Sequence, residues 1–192
     1  MPDDQWLIAG LGNPGPEYAG NRHNAGFLVA DLLAERIGAR FKRDRARVQA
    51  ASGRLAGQPV LIVKPMSYMN ASGPAVAAVG RFYKVPLDRT VAVHDELDLP
   101  FGTIRLKLGG GDNGHNGLRS MTGTLGPGYY RVRVGVGRPS GRRDPADFLL
   151  SDFSAAERKE LPLIVERAAD AVEVLLERGL AAAQNEFHAT SG

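Results

Sequence analysis

Two periods of apolar spacing alternate along this chain. Trp6-Leu7-Ile8-Ala9-Gly10-Leu11 is a short continuous apolar run that stops at Gly12-Asn13-Pro14-Gly15, the pattern of a buried strand. From Gly26 to Ile37 the period changes. Phe27, Leu28, Ala30, Leu32, Leu33 and Ile37 fall at helical spacing, and Gly38 stands where a C-cap belongs. Val48 to Leu55 and Pro59 to Val63 flank Ala56-Gly57-Gln58 and predict a hairpin. A second helix opens at Ser72-Gly73-Pro74 and continues through Ala75, Val76, Val79 and Phe82; a proline in the first turn removes no intrahelical bond.

Thr90 to Asp95 predicts another buried strand, while Gly102 to Leu108 and Tyr130 to Val136 alternate as half-exposed strands do. Asn116 to Met121 predicts a short helix. Ser154 and Glu157 form a capping box ahead of a long helix carrying Leu161, Ile164, Val165, Ala168, Val172, Leu175 and Leu176, which Gly179 ends. Leu180 to Phe187 predicts a short terminal helix. Strands interleaved with helices predict an α/β fold, a three-layer α/β/α sandwich. The hairpins make its twisted sheet mixed rather than purely parallel. No linker divides residues 1–192, so a single domain is expected.

Composition narrows the chemistry. The 24 Lys+Arg and 21 Asp+Glu leave a net charge of +3, too small to name a partner. Cysteine is absent, which excludes a disulfide framework, a thiolate zinc site and a thiol nucleophile. No apolar stretch approaches the roughly 18 residues that span a bilayer. The acidic start, Met1-Pro2-Asp3-Asp4-Gln5, does not read as a signal peptide. A cytoplasmic protein is expected.

Gly10-Leu11-Gly12-Asn13-Pro14-Gly15 matches the dinucleotide fingerprint, but the periodic helix begins only near Gly26, too late for its N-terminus to meet a pyrophosphate. Three of the four histidines, His23, His94 and His115, fall on predicted loops or strand ends, where α/β sheets build sites. His94-Asp95-Glu96-Leu97-Asp98 suggests metal ligands at first sight. Adjacent strand residues face opposite ways, however, so His94 and Asp95 do not share a ligand sphere while the strand continues. Asp95 is better used to accept an N–H from a histidine across the site, fixing its tautomer. No Gly-x-Ser-x-Gly elbow is present, which favours a histidine acting on water over an acyl-enzyme. Asn13, Asn21, Asn24, Asn70, Asn113 and Asn116 sit mostly in Gly/Pro-rich loops. There they serve either as turn residues or as neutral donor–acceptor pairs for a substrate. Arg40, Lys42, Arg43, Arg45 and Arg47 form one basic run, with Arg131, Arg133, Arg138, Arg142 and Arg143 as a second group. Each is either a solvated face or a nucleic-acid contact.

Six ordered stretches together resemble the bacterial-type peptidyl-tRNA hydrolase family. They are Gly10-Leu11-Gly12-Asn13-Pro14-Gly15-x-Glu17-Tyr18, Arg22-His23-Asn24-Ala25-Gly26, Lys64-Pro65-x-x-Tyr68-Met69-Asn70-x-Ser72-Gly73, His94 to Pro100, Lys107 to Leu118, and Arg131-x-Arg133-x-Gly135-x-Gly137-Arg138-Pro139. The resemblance implies a monomeric enzyme without metal or cofactor. It would cleave the ester between a peptide and the 3′ end of tRNA. It also implies His23 as general base, Asp95 as its orienting partner and Asn13 beside the scissile ester. Asn70 and Asn116 would hold peptide backbone or the terminal nucleotide. Tyr18, Tyr68, Met69 and His115 would line the substrate site, and Lys107 and Arg133 would contact phosphate. A non-catalytic RNA-binding module and a nucleotide-dependent oxidoreductase are the rival readings.

Overall fold

Four strands run parallel through the centre of one mixed sheet: β4 (Gln58–Pro65), β1 (Trp6–Gly10), β5 (Thr90–Glu96) and β7 (Tyr130–Gly135). Antiparallel strands flank them, β3 (Val48–Leu55) with β2 (Lys42–Arg43) on one side and β6 (Ile104–Leu108) on the other. The order is β2-β3-β4-β1-β5-β7-β6. The computed structural model describes residues 4–188, so most of the acidic N-terminal stretch lies outside it.

The alternation of side chains sorts the sheet into two cores. Ile8, Val91, Val93, Val132 and Val134 pack against α1 (Ala25–Arg36), α5 (Ala155–Arg178) and α6 (Leu180–His188). Leu7, Ala9 and Ala92 pack on the other face against Val76 and Val79 of α2 (Ser72–Tyr83) and Leu118 and Met121 of α3 (Asn116–Leu125). This is the three-layer sandwich that the pattern predicts. The capping box at Ser154 and Glu157 is formed, and Gly38 and Gly179 take positive φ at the helix ends.

From β1 the chain crosses to the β4 side, and from β5 it continues to the β7 side. The carboxyl ends of β1 and β5 therefore border a crevice, where open α/β sheets place ligands. Two glycines bring α1 close to that crevice. A Cβ on Gly26 would lie 2.3 Å from the Val93 carbonyl oxygen, and one on Gly10 would lie 2.4 Å from that of Gly26. The glycine-rich motif at residues 10–15 thus partly serves close packing. No helix starts until Ala25, apart from the Arg22–Asn24 turn. Gly26→Ala is expected to destabilise the fold by about 3 kcal/mol, as overpacking against backbone does. Gly123→Ala has open space inside α3 and should gain roughly 0.5–1 kcal/mol. Urea unfolding of both variants checks the pair.

Arg22 locks the turn that precedes α1. It is buried, its guanidinium donates to the Asp152 carbonyl at 2.8 Å and to Ser151 Oγ at 2.6 Å, and it pairs with Glu157 at 2.7 Å. Its Cζ also lies 4.0 Å from the Phe148 ring centroid. At the β6 edge, the Leu106 amide donates to His188 Nε2 at 3.0 Å and the Leu106 carbonyl accepts from Gln184 at 3.1 Å.

Several elements differ from the sequence expectation. The strand expected from Gly102 begins at Ile104, because Phe101 and Gly102 form a turn closed by the Thr103 amide on the Pro100 carbonyl. The helix expected to end at Met121 runs on to Leu125. Strand β2 and helix α4 (Pro145–Leu149) add to the expected elements. The α4 signal was present as Asp144-Pro145, an N-cap followed by proline at the first helical position. Asp144 indeed accepts from the Ala146 amide at 2.9 Å.

Candidate active site

The crevice holds one carboxylate shared by two histidines. Asp95, fully buried near the end of β5, has Oδ2 2.7 Å from His23 Nδ1 and Oδ1 2.8 Å from His115 Nε2. The proton on His115 can be placed. His115 caps α3, and its Nδ1 accepts from the amides of Gly117 and Leu118 at 3.1 and 3.2 Å. In the neutral ring the hydrogen is therefore on Nε2 and points at Asp95. The second carboxylate oxygen receives Nδ1–H of His23. His23 Nε2 is left with its lone pair in the cleft, the arrangement that a base acting on water needs.

Electrostatics reinforce this assignment. Burial alone would raise the Asp95 carboxyl pKa, but the charges and hydrogen bonds of His23 and His115 hold it well below the usual carboxylate range. Burial pulls the His23 pKa down, and the charge and hydrogen bond of Asp95 more than reverse this, leaving it above its ordinary value. His94 behaves differently. Burial, then the nearby His115, press its pKa down to about 3, so it is neutral. Its Nδ1 donates to the Asp95 carbonyl at 2.7 Å, and its ring packs edge-on against His115 with centroids 5.0 Å apart.

Among the described residues, His23, Asp95 and His115 are also the one group whose ligand atoms lie close enough to suggest an ion, within 4.8 Å of one another. An ion on His115 Nε2 would force its proton onto Nδ1 and break two bonds at the start of α3. The donor set therefore fits two N–H···O bonds better than metal coordination.

Asn13, Asn70 and Asn116 meet at the same cleft, of about 320 Å³, with Tyr68, Met69, Leu97 and residues of α4 on its walls. Asn13 is oriented by its neighbours. Its Oδ1 accepts the Met69 amide at 2.7 Å, so the flip is settled and Nδ2 is the group free to donate. Its backbone is clasped by Asn24, whose Oδ1 accepts the Asn13 amide and whose Nδ2 donates to the Asn13 carbonyl, both at 2.9 Å. Asn70 and Asn116 are exposed at the rim and spend no amide hydrogen bond inside the protein, among the described residues. Tyr68 is 61% exposed and Tyr18 packs edge-on against it at 6.4 Å, outside the cleft wall itself. His115 lines the cleft with its ring, because both its nitrogens are engaged within the protein.

Lys107 and Arg133 lie on the α3 face of the sheet, on neighbouring strands. Neither is ion-paired among the described residues. Burial first, and with it neighbouring cations, lower both pKa values against the opposing charge of Glu96, Lys107 beside Arg133 and Arg131, and Arg133 beside Arg105 and Arg131. Arg131 corrects one expectation. It is completely buried rather than on a solvated or nucleic-acid-facing surface, and it donates to the carbonyls of Gly110 and Gly111 while lying over the Tyr129 ring. It builds the glycine-rich loop. Asn24, one of the loop asparagines singled out in the sequence, holds the Asn13 backbone, while the structural part of Arg22 and helix α4 are what the sequence reading missed. Only the Asp-Pro pair before α4 carried a signal.

Comparison with known proteins places the chain in a family. A family model described as peptidyl-tRNA hydrolase matches residues 7–192. The chain belongs to the peptidyl-tRNA hydrolase family. It is 62% identical over 188 residues to a peptidyl-tRNA hydrolase of Frankia casuarinae, covering 97% of this chain and 95% of that one. It is 62% identical over 189 residues to one of Streptomyces coelicolor, covering 95% and 94%. The crystal structure of peptidyl-tRNA hydrolase from Acinetobacter baumannii superposes with a TM-score of 0.90 at 37% identity, over 97% of this chain and 95% of that one. Like these relatives, the chain is a hydrolase of the α/β class. No helix among the described residues is long and apolar enough to cross a membrane.

Proposed function

We propose that this hydrolase cleaves the ester between the peptide and the 3′ end of tRNA by direct attack of water, with His23 as general base. The observation that carries the reading is the bond from His23 Nδ1 to buried Asp95 at 2.7 Å, which leaves Nε2 facing the Asn-lined cleft. His23 Nε2 takes a proton from water as the water oxygen attacks the ester carbonyl. The Asp95 carboxylate stabilises the imidazolium, and the same proton then goes to the departing ribose oxygen. Asn13 Nδ2 donates to the carbonyl oxygen as negative charge develops there. One such donor contributes roughly 3–4 kcal/mol in comparable sites.

Asn70 and Asn116 supply uncharged amides for the acylated α-nitrogen and the peptide backbone, with Tyr68, Met69 and the His115 ring as neighbouring wall and Tyr18 buttressing Tyr68. A free α-amine is charged and lacks the acyl group, so it would leave those amides unpaired in a partly desolvated site. Lys107 and Arg133 bind phosphate near the tRNA 3′ end. No step in this route calls for a cofactor or metal, and the enzyme works as a cytoplasmic monomer made of one domain.

Discrimination is the direct test. The enzyme is incubated with N-acetyl-aminoacyl-tRNA and with unblocked aminoacyl-tRNA, and deacylation is timed. Cleavage of the blocked form at least 100-fold faster is expected. Equal rates would reject the role given to the asparagines, and no cleavage of either would reject the whole reading.

A further inference from the structure

The basic run from Arg40 to Arg47 is an ordered surface at the active-site end of the sheet. Residues 44–47 form the turn between β2 and β3. Val48 of β3 pairs with Pro65 at the carboxyl end of β4, so the turn stands on the same rim as Asn13, Met69 and Asp95. Its shape is held firmly. Asp44 N–H donates to the Val48 carbonyl and Met66 N–H to the Arg47 carbonyl, both at 2.8 Å. Ala46 and Arg47 are kept at φ of 57° and 58°, a left-handed conformation that costs free energy for side chains other than glycine. The Arg45 guanidinium carbon lies 3.3 Å from the Phe82 ring centroid on α2.

The charges on this surface do not cancel. Arg40, Lys42, Arg43, Arg45 and Arg47 are all exposed, with Asp44 the one acid among residues 40–47. Asp44 is consumed internally, Oδ1 by Arg45 and Oδ2 by the Tyr83 hydroxyl at 2.6 Å. Arg43 and Arg47 have no acidic partner among the described residues. They flank a concavity of about 500 Å³ that Gln49 and Met66 also line. At about 4.8 Å per strand, this surface lies roughly 25 Å across the sheet from Arg133. No single nucleotide touches both places, whereas a polynucleotide can.

We propose that the Lys42–Arg47 turn is a second phosphate-binding surface, which holds the sugar-phosphate backbone of the tRNA acceptor arm away from its 3′ end. The inference rests on the peptidyl-tRNA reading above and extends it from the ester to the body of the substrate. The contact is independent of base sequence, since exposed guanidinium groups meeting a backbone read charge and spacing only. The ester is positioned from one side by Lys107 and Arg133 and from the other by this turn.

The test compares two substrates with the full chain: N-acetyl-aminoacyl-tRNA, and the same N-acetyl-aminoacyl group esterified to adenosine alone. In R43Q/R47Q the ratio of kcat/KM for tRNA to that for the adenosine ester should fall roughly tenfold at low salt. The slope of log(kcat/KM) for tRNA against log[salt] should flatten by about 2. A ratio and slope equal to those of the unaltered enzyme would overturn the proposal and leave a solvated face or a site for another partner. An equal loss on both substrates would also overturn it, because the turn would then act on the cleft through Met66. If the unaltered enzyme cleaves the adenosine ester but R43Q/R47Q keeps its full preference for tRNA, the hydrolase reading stands and this one falls. If the unaltered enzyme cleaves neither substrate, both fall.

Discussion

Replacing His23 by alanine is expected to lower kcat on N-acetyl-aminoacyl-tRNA roughly 10²–10⁴-fold, the contribution of a positioned general base. KM should change little, because His23 Nε2 meets the attacking water and not the bulk of the substrate. Single-turnover deacylation gives the chemical step directly. Removing the ring also leaves Asp95 buried with one partner instead of two, so thermal unfolding must accompany the rates. A folded H23A enzyme with full kcat would remove His23 from the mechanism. A folded enzyme with a large loss in KM alone would make it a binding residue.

Asp95→Asn is expected to be as damaging, roughly 10³–10⁴-fold in kcat, by a route that the geometry specifies. His115 presents Nε2–H to this position, because the start of α3 occupies its Nδ1. An asparagine must therefore turn its oxygen toward His115. Its NH₂ then faces His23 Nδ1 and drives the His23 proton onto Nε2, the atom that must accept one from water. The pH profile distinguishes this from simple misfolding. Activity needs neutral His23, so kcat/KM should rise with pH through the His23 pKa. Asp95 holds that value above the ordinary 6.5, which places the acid limb of the unaltered enzyme above 6.5. Without the carboxylate only burial remains, which favours the neutral ring, so the residual activity of D95N should show its acid limb displaced to lower pH. An unmoved limb would mean that Asp95 does not set the His23 charge.

The layers of the fold were legible because period and burial coincide. Ile8, Val91 and Val93 alternate with Leu7, Ala9 and Ala92 onto the two cores. The candidates stood out by position, His23 in a polar loop shortly after a strand end and Asp95 at the end of an apolar run, and the structure brings them into contact. The sharing of one carboxylate by two histidines was not legible. It depends on the His115 tautomer, which is set by helix amides that have no sequence signature of their own. Basic residues were the least readable class. Arg131 and Arg133 are two apart on one strand. Arg131 is sealed under the glycine loop, whereas Arg133 keeps some exposure and makes no ion pair among the described residues. Residue type and spacing look alike in the two cases. Only the path of residues 109–114 over the sheet separates them. Arg22 was hidden for the same reason, since its partners at residues 148–157 are more than 120 positions away.

The edges of the sheet carry a further consequence, for aggregation. An edge strand is a template for any second strand that arrives with free donors and acceptors. Along β6 the outward amide and carbonyl of Leu106 are already taken by His188 and Gln184 of the last helix. At the opposite edge β2 is two residues long, and both are cations. Neither outermost strand offers a long neutral ladder to a neighbouring molecule. An enzyme that must meet peptidyl-tRNA with its nascent peptide still attached would gain from this, since an unfolded peptide is itself a strand in search of an edge.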